Sequence, residues 1–184
     1  EADLVDTYGG ILDSDTDQNG NLTGTTDLIR RRWLDNNFYV LNASTNYNSS
    51  KLNLMFNTSY STYSGDHFGE VIWARNFSKS SSIRDRYYDG NGKKTDFSLF
   101  AKGSLILNNA FEFYADFQLR NINYKTTGYT SDLVNMLLDE SYSFFNPKFG
   151  LSYKLSSQSM VYGSYSRANR EPSRSAFESN ENIK

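Results

Sequence analysis

His67 is the single histidine of the chain, and it directly follows Asp66. A carboxylate beside an imidazole could serve as an orienting group and a general base. No serine or second acid is spaced to complete a triad with them, so a solvated loop histidine is the stronger interpretation. His67 could also bind a metal or a haem-like ligand, although the sequence shows no second ligand for it. We therefore predict no catalytic residue and do not expect an enzyme.

An acidic stretch near the start of the chain carries side-chain oxygens at every second position. Such spacing, followed by the glycine at Gly20, suits the oxygen-rich coordination of Ca²⁺. Counted from Asp15, however, the twelfth position is Thr26 and not a bidentate glutamate. A solvated acidic loop with an Asn-Gly turn is therefore favoured, and no cofactor is expected beyond weakly bound calcium. The candidate ligands are Asp13, Asp15, Asp17 and Asn19.

Aromatic and cationic side chains gather in the region 64–94. They could form a ligand-binding surface in an extracellular loop, or they could be an aromatic girdle and loop packing, and the sequence supports both equally. Asn91-Gly92 is a strong type I′ turn signal and predicts a small hairpin within this region. The candidate ligand-binding residues are His67, Trp73, Arg84, Arg86, Tyr87 and Tyr88.

The composition favours strands over a conventional core. Aromatic residues make up 16% of the chain, with 14 Tyr and 13 Phe, although all hydrophobic residues reach only 38%. This mixture suits strands with one apolar face, one wet face and aromatic belts. No apolar run approaches the roughly 20 residues of a membrane-spanning helix. A net charge of -2 gives no reason to expect a nucleic-acid partner, and the lack of cysteine excludes disulfides.

Apolar residues recur at every second position in three stretches, 38–63, 95–125 and 144–167. Each stretch contains a short polar turn and therefore predicts a hairpin. Together they predict an all-β fold, an antiparallel meander of about six long strands that forms part of a larger transmembrane β-barrel. The apolar faces of such strands would be exposed, at Tyr39, Leu41, Phe56, Phe113 and Phe117.

The connections between these hairpins are predicted to be unequal. Short turns join the strands within hairpins, whereas 64–94 and 126–143 are long, as in outer-membrane barrels with extracellular loops. The regions 1–37 and 168–184 are likewise predicted as loops, the first of them extracellular. Within the second long loop, Ser131–Asp139 has helical spacing after a capping residue and predicts a short helix.

The second half of the chain resembles a known family. Phe144–Tyr153, Val161–Ser166 and Arg167–Arg174 contain the runs Phe-Asn-Pro-Lys, Tyr-Gly-Ser-Tyr and Asn-Arg-Glu-Pro-x-Arg. In order and spacing they resemble TonB-dependent outer-membrane receptors, from about Leu28 onward. The resemblance implies about 22 strands around a plug domain. It also implies that Arg170, Glu171 and Arg174 lie inside the barrel near its outer mouth, whereas the residues alone would also allow a solvated loop.

The resemblance therefore predicts an internal barrel segment, without the plug, of a multi-pass outer-membrane transporter. Its cargo would be a scarce nutrient, namely an iron–siderophore, haem, cobalamin or a glycan, imported with energy from TonB. The expected partners are its own plug domain, the remaining strands, the TonB complex, the nutrient and outer-membrane lipid. The alternatives are a small adhesin or structural barrel, a barrel-embedded enzyme using Asp66 and His67, and a soluble β-sandwich carbohydrate-binding module.

Overall fold

The computed structural model describes Tyr8 and residues 10–173, and it confirms an all-β antiparallel meander. Six strands form one sheet in the order in which they occur along the chain. Consecutive strands are therefore neighbours, as expected for a chain built from hairpins. The strands are β1 (Leu28–Asn48), β2 (Leu52–Ala74), β3 (Arg86–Ile106), β4 (Phe111–Gly128), β5 (Leu138–Lys154) and β6 (Met160–Ser166).

Polar side chains close the three short turns. The hydroxyl oxygen of Ser49 accepts a hydrogen bond from the backbone N–H of Leu52 at 3.1 Å. The side-chain oxygen of Asn108 accepts the N–H of Phe111 at 2.9 Å, and the hydroxyl of Ser156 caps the third turn in the same way. These residues satisfy backbone groups that the strand ladders leave unpaired. The short turns at these three positions are thus confirmed.

The strands extend further than the alternation predicted. β1 begins at Leu28, β2 continues to Ala74 and β3 begins at Arg86, so the first long connection is only 75–85. The second is 129–137 instead of 126–143. Period-two alternation of apolar residues fades in these extensions because charged residues and glycines interrupt it. The connections nevertheless remain longer than the three short turns.

Two local predictions in these regions were wrong. Asn91-Gly92 forms no turn, because both residues lie inside the continuous strand β3 and the Asn91 amide donates to Asp66 at 2.5 Å. The segment 131–139 is not a helix, because the hydroxyl of Thr130 accepts the N–H of Val134 and fixes a turn that ends where β5 begins. No helix of the described residues is long and apolar enough to cross a membrane.

The chain divides into two compact units, and the first contains a small core. This unit comprises residues 1–37, 63–93 and 125–139. Three of the seven buried residues in its cluster are tyrosines, and Val71 in the same cluster is fully buried. This cluster stabilises the extended parts of the strands, in which apolar residues do not alternate regularly. Its buried members are Tyr8, Ile11, Leu12, Val71, Ala74, Tyr87 and Tyr88.

The second unit is a sheet with two chemically different faces. It comprises residues 38–62, 94–124 and 140–184. One side, here called the apolar face, carries rings that stack on one another, with Phe117 lying 6.1 Å from Phe145 and 5.3 Å from Phe149. The side chains predicted to be exposed are confirmed as exposed: Tyr39, Leu41, Phe56, Phe113 and Phe117.

The opposite side, here called the polar face, is packed closely at the last hairpin. β5 and β6 pair antiparallel with Gly150 opposite Ser164 and Ser152 opposite Tyr162. A side chain at Gly150 would meet the ring of Tyr162, its hydroxyl oxygen at 2.6 Å, so glycine leaves the space that this ring fills. The ring thereby covers the backbone of the neighbouring strand and fixes the register of β6.

We predict that Gly69→Ala destabilises the first unit by about 1–3 kcal/mol, because overpacking a filled site strains its neighbours. A methyl group at Gly69 would overlap the buried rings of Tyr87 and Tyr88. Gly92→Ala is the matched control, since the nearest atoms there, from Thr126 and Tyr63, lie 4.0 Å away. Urea unfolding of the detergent-solubilised protein measures both variants, and equal midpoints would contradict the prediction.

Candidate functional site

A chain of alternating charges crosses the polar face of the second unit. The guanidinium of Arg120 donates to Asp96 through Nε at 3.0 Å and to Glu171 through Nη1 at 3.0 Å. The ammonium of Lys94 donates to the other oxygen of Glu171 at 2.7 Å. The order is therefore Lys94, Glu171, Arg120, Asp96, with each inner residue shared by two partners of opposite charge. We call these four residues the polar-face network.

The strands dictate which residues enter this network. Lys94 and Asp96 are two positions apart on β3 and so project to one face, and Arg120 projects to the same face from β4. Glu171 follows β6 and precedes Pro172, which favours an extended backbone at Glu171. Side-chain exposure is only 19–24% for Asp96, Glu171 and Arg120. Such partly shielded pairs are stronger than fully exposed ones.

The electrostatics of Glu171 follow from these neighbours. Burial by itself raises the pKa of Glu171, but the hydrogen bond from Lys94 and the charge of Arg120 outweigh burial and lower the pKa below its usual value. The carboxylate therefore stays ionised at neutral pH. An ionised Glu171 can hold both cations at once.

The segment 167–173, here called the strap, leaves β6 and lies on the polar face. The backbone N–H of Asn169 donates to the side-chain oxygen of Asn146 at 2.7 Å, and the Asn146 amide donates back to the Asn169 carbonyl at 3.2 Å. The same amide donates to Gln118 on β4 at 3.0 Å. With Glu171 reaching Arg120 and Lys94, the strap contacts residues of β5, β4 and β3 in turn.

A second group on the polar face surrounds Tyr114. The ammonium groups of Lys102 and Lys148 each lie 5.5 Å from the centre of its ring, within cation–π range. The Tyr114 hydroxyl donates to Asp116 at 3.0 Å. β3 and β4, which carry three residues of the polar-face network, thus also carry a second row of charged and aromatic side chains, to which β5 adds Lys148.

The first unit contains a stacked ladder of arginines and aromatic rings. The Arg31 guanidinium lies 4.5 Å from the centre of the Trp33 ring, and that ring stacks on Phe68 at 6.1 Å. The guanidinium of Arg86 covers Phe68 at 3.6 Å. Glu70 accepts from Arg31 at 2.8 Å and from the indole of Trp33 at 3.2 Å. These contacts link β1, β2 and β3, and they neutralise Arg31.

The structure does not gather the predicted ligand-binding residues into one surface. Tyr87 and Tyr88 are buried with ring centres 5.0 Å apart. Arg84 and Arg86 are exposed, and Trp73 is 47% exposed. The two tyrosines therefore pack the core of the first unit, whereas Trp73, Arg84 and Arg86 remain accessible. Whether the accessible residues bind a ligand stays a prediction.

His67 and Asp66 each have a hydrogen-bond partner on another residue. The Nε2 atom of His67 lies 3.1 Å from the hydroxyl of Tyr63, which in turn donates to the side-chain oxygen of Asn36 at 2.8 Å. Asp66 accepts the Asn91 amide at 2.5 Å. The histidine is thereby anchored beside β1 by a tyrosine, an arrangement that the sequence did not reveal.

The acidic loop uses its carboxylates internally. Asp17 accepts the N–H groups of Asn19 and Asn21, both at 2.8 Å, and the Asn21 hydrogen bonds lower the pKa of Asp17. Asp15 accepts from Thr26 at 2.9 Å and from Arg75 at 3.2 Å. Within Tyr8 and residues 10–173, no group of three or more His, Cys, Asp or Glu could hold a metal. Calcium binding by Asp13, Asp15, Asp17 and Asn19 stays a prediction.

Of the residues predicted to face the barrel interior, Glu171 lies in the polar-face network. Arg170 is exposed beside it, and Arg174 lies outside the described residues. Sequence reasoning did not single out Lys94, Asp96 or Arg120 as site residues. It also missed Arg31, Trp33, Phe68 and Glu70. Their only sequence signal is the run of three arginines before Trp33.

A sheet with an exposed aromatic face and a charged opposite face is what the wall of an outer-membrane β-barrel requires. The family model described as TonB dependent receptor-like, beta-barrel matches residues 2–182. The chain therefore belongs to this family. No curated protein and no solved structure matches the chain. The resemblance inferred from the Phe-Asn-Pro-Lys and Asn-Arg-Glu-Pro runs is confirmed.

Membership has direct consequences for function. Members of this family take part in TonB-dependent transport at the outer membrane and are transporters, not enzymes. Family membership therefore supports the prediction that Asp66 and His67 do not catalyse a reaction. The full-length receptor interacts with TonB and with a ligand.

We predict that Arg120→Met destabilises the second unit by about 1–3 kcal/mol, because it leaves two partly shielded carboxylates without their shared cation. Asp96→Asn combined with Arg120→Met should recover part of this loss. Arg170→Met is the control, since Arg170 makes no ion pair within the described residues. Urea titration of the folded protein in lipid vesicles measures all three, and a control as damaging as Arg120→Met would refute the role of the network.

Proposed function

We propose that this chain is a wall segment that crosses the outer membrane repeatedly in a receptor importing a scarce nutrient with energy from TonB. The observation that supports it best is the apolar face of the second unit. That face is apolar over a length matched to a membrane and becomes polar beyond it. In a soluble sheet the whole exposed face would meet water, so a change from apolar to polar side chains at one level would not be expected.

The apolar stretch has the dimensions of a membrane wall. On β4 it runs from Phe111 to Leu119, and on β3 from Phe97 to Leu105. Nine residues at about 3.3 Å each cover about 30 Å along a strand, or about 23 Å vertically at a tilt of about 40°. Outer-membrane barrels carry an apolar band about 25 Å tall. The aromatic pair Phe111 and Tyr153, stacked at 4.6 Å, lies near the short-turn end, where an interfacial belt is expected.

A ladder of polar side chains ends this stretch on the same face. The hydroxyl of Ser143 donates to Asn121 at 2.7 Å, and the hydroxyl of Ser141 donates to Asn123 at 2.8 Å. The Asn123 amide continues the ladder to Thr95 on β3 at 3.3 Å. Hydrogen-bonding side chains of this kind suit the headgroup region and water, so we place the membrane boundary between Leu119 and Asn121.

The longer connections of such barrels are extracellular, so the connections 75–85 and 129–137 would lie outside the cell. The polar face would then line the channel, where the polar-face network and the strap meet water, the plug domain and the cargo. Accessible Trp73, Arg84 and Arg86, together with His67, are the proposed ligand-facing residues. The cargo is an iron–siderophore, haem, cobalamin or a glycan, and the remaining strands and the plug domain complete the receptor.

The first test concerns the membrane. We predict that Phe117→Arg lowers the free energy of folding into lipid vesicles by about 1–3 kcal/mol, because a cation would face hydrocarbon inside the apolar stretch, between its midpoint at Ala115 and its end at Leu119. Leu107→Arg, in the short turn between β3 and β4, is the control and should cost at most about 1 kcal/mol. Equal costs, or a Phe117→Arg protein that folds readily without detergent, would favour the soluble β-sandwich module.

The second test concerns import. We predict that deleting the gene of the full-length receptor abolishes growth on one of four limiting nutrients, a ferric siderophore, haem, cobalamin or an oligosaccharide. Loss of TonB should have the same effect, and restoring the receptor should restore growth. If growth on all four is unchanged while attachment of the cells to surfaces is lost, the protein is an adhesin and not an importer.

A further inference from the structure

The strap is fixed to the polar face almost wholly through side chains. A backbone hydrogen bond joins Arg167 to the Pro147 carbonyl at 3.0 Å, where the β5–β6 ladder ends. From there on, residues 169–171 are held by the Asn146 amide and by the two cations that share Glu171. Most strap residues are exposed and add no apolar residue to a core. Segments attached in this way open at low free-energy cost.

The attachment is also exchangeable by its chemistry. Glu171 occupies Lys94 and Arg120 as a monovalent carboxylate, and Arg120 remains paired with Asp96 if Glu171 leaves. Another carboxylate or a phosphate could therefore take the place of Glu171 without leaving a bare arginine. Release of Glu171 frees the strap as far back as Asn169, whose amide contacts are uncharged and weaker.

We propose that the strap is a latch on the channel-facing side of the sheet, closed by Glu171 on Lys94 and Arg120 and opened during uptake. The proposal rests on the proposed function, because it assigns the polar face to the channel. Closed, the strap extends from β5 across β4 to β3 and places Arg170 in the path along that face. Open, it clears this path and leaves two cations for an anionic group of the plug or of the cargo.

Cysteine chemistry can test the latch directly, because none of these 184 residues is a cysteine and any cysteine elsewhere in the full-length receptor can first be replaced with serine. In the full-length receptor in outer-membrane vesicles, Asn169→Cys reports exposure of the strap through its rate of labelling by a maleimide. Adding Glu171→Gln should raise that rate about three- to tenfold, as expected for loss of ion pairs. Arg170→Gln is the matched control and should change it less than twofold. An unchanged rate with Glu171→Gln would overturn the latch, whatever the cargo proves to be.

A reversible lock tests whether opening is needed for uptake. Asn146→Cys with Asn169→Cys joins two residues whose side chains approach to 3.1 Å, so oxidation should fasten the strap to β5. We expect uptake of the labelled nutrient identified by the growth test to fall at least about tenfold and to recover on reduction. Lys148→Cys with Ser166→Cys is the control, because these residues are already paired across β5 and β6.

The outcomes separate the two proposals. Uptake by the oxidised lock at the rate of the control would refute the latch and leave import intact. If the wild type takes up none of the four nutrients, import fails as the function, and the labelling rates alone decide whether Glu171 closes the strap. Loss of uptake in both oxidised pairs would also count against the latch, since the control does not touch the strap.

Discussion

The backbone of a membrane-spanning sheet must satisfy its N–H and C=O groups within the sheet, because hydrocarbon offers no partners. The side chains of such a sheet therefore meet two environments, lipid on one face and water on the other. The stacked rings around Phe117 and the ion pairs around Arg120 are the two results of that division. The rings and the ion pairs lie on opposite faces of the same strands, at alternating positions.

The first unit is stabilised in a different way, although it is built from parts of the same strands. This unit has a buried cluster of its own, so its stability depends on local packing more than on period-two alternation. The tyrosine cluster around Val71 and the ladder from Arg31 to Arg86 supply it. Rings covered by guanidinium groups keep large apolar surfaces in a setting that water can reach. This explains why the strands persist past the point where their sequence pattern ends.

Period-two spacing was enough to find the sheet, its order and its apolar face, because each strand's exposure depends on residues two positions apart. Long-range partners could not be found in this way. Glu171 meets Lys94 across 77 positions, and nothing local in either segment indicates the other. Tyr87 and Tyr88 were predicted as a ligand surface, and they are buried because Tyr8 and Val71 cover them. Asn91-Gly92 has turn chemistry, but strand pairing on both sides overrode it.

The position of the strap suggests how a rigid wall can contain a moving part. A strand cannot detach without losing a ladder of backbone hydrogen bonds, whereas a segment held by side chains can leave and return. Charged contacts suit this role better than apolar ones, because water or a competing ion replaces them at little cost on a wet face. Because Arg120 is shared by two carboxylates, it stays paired with Asp96 when Glu171 leaves, which lowers the free-energy cost of the exchange. The polar-face network thus combines a fixed part on β3 and β4, namely Lys94, Asp96 and Arg120, with Glu171, which belongs to the strap.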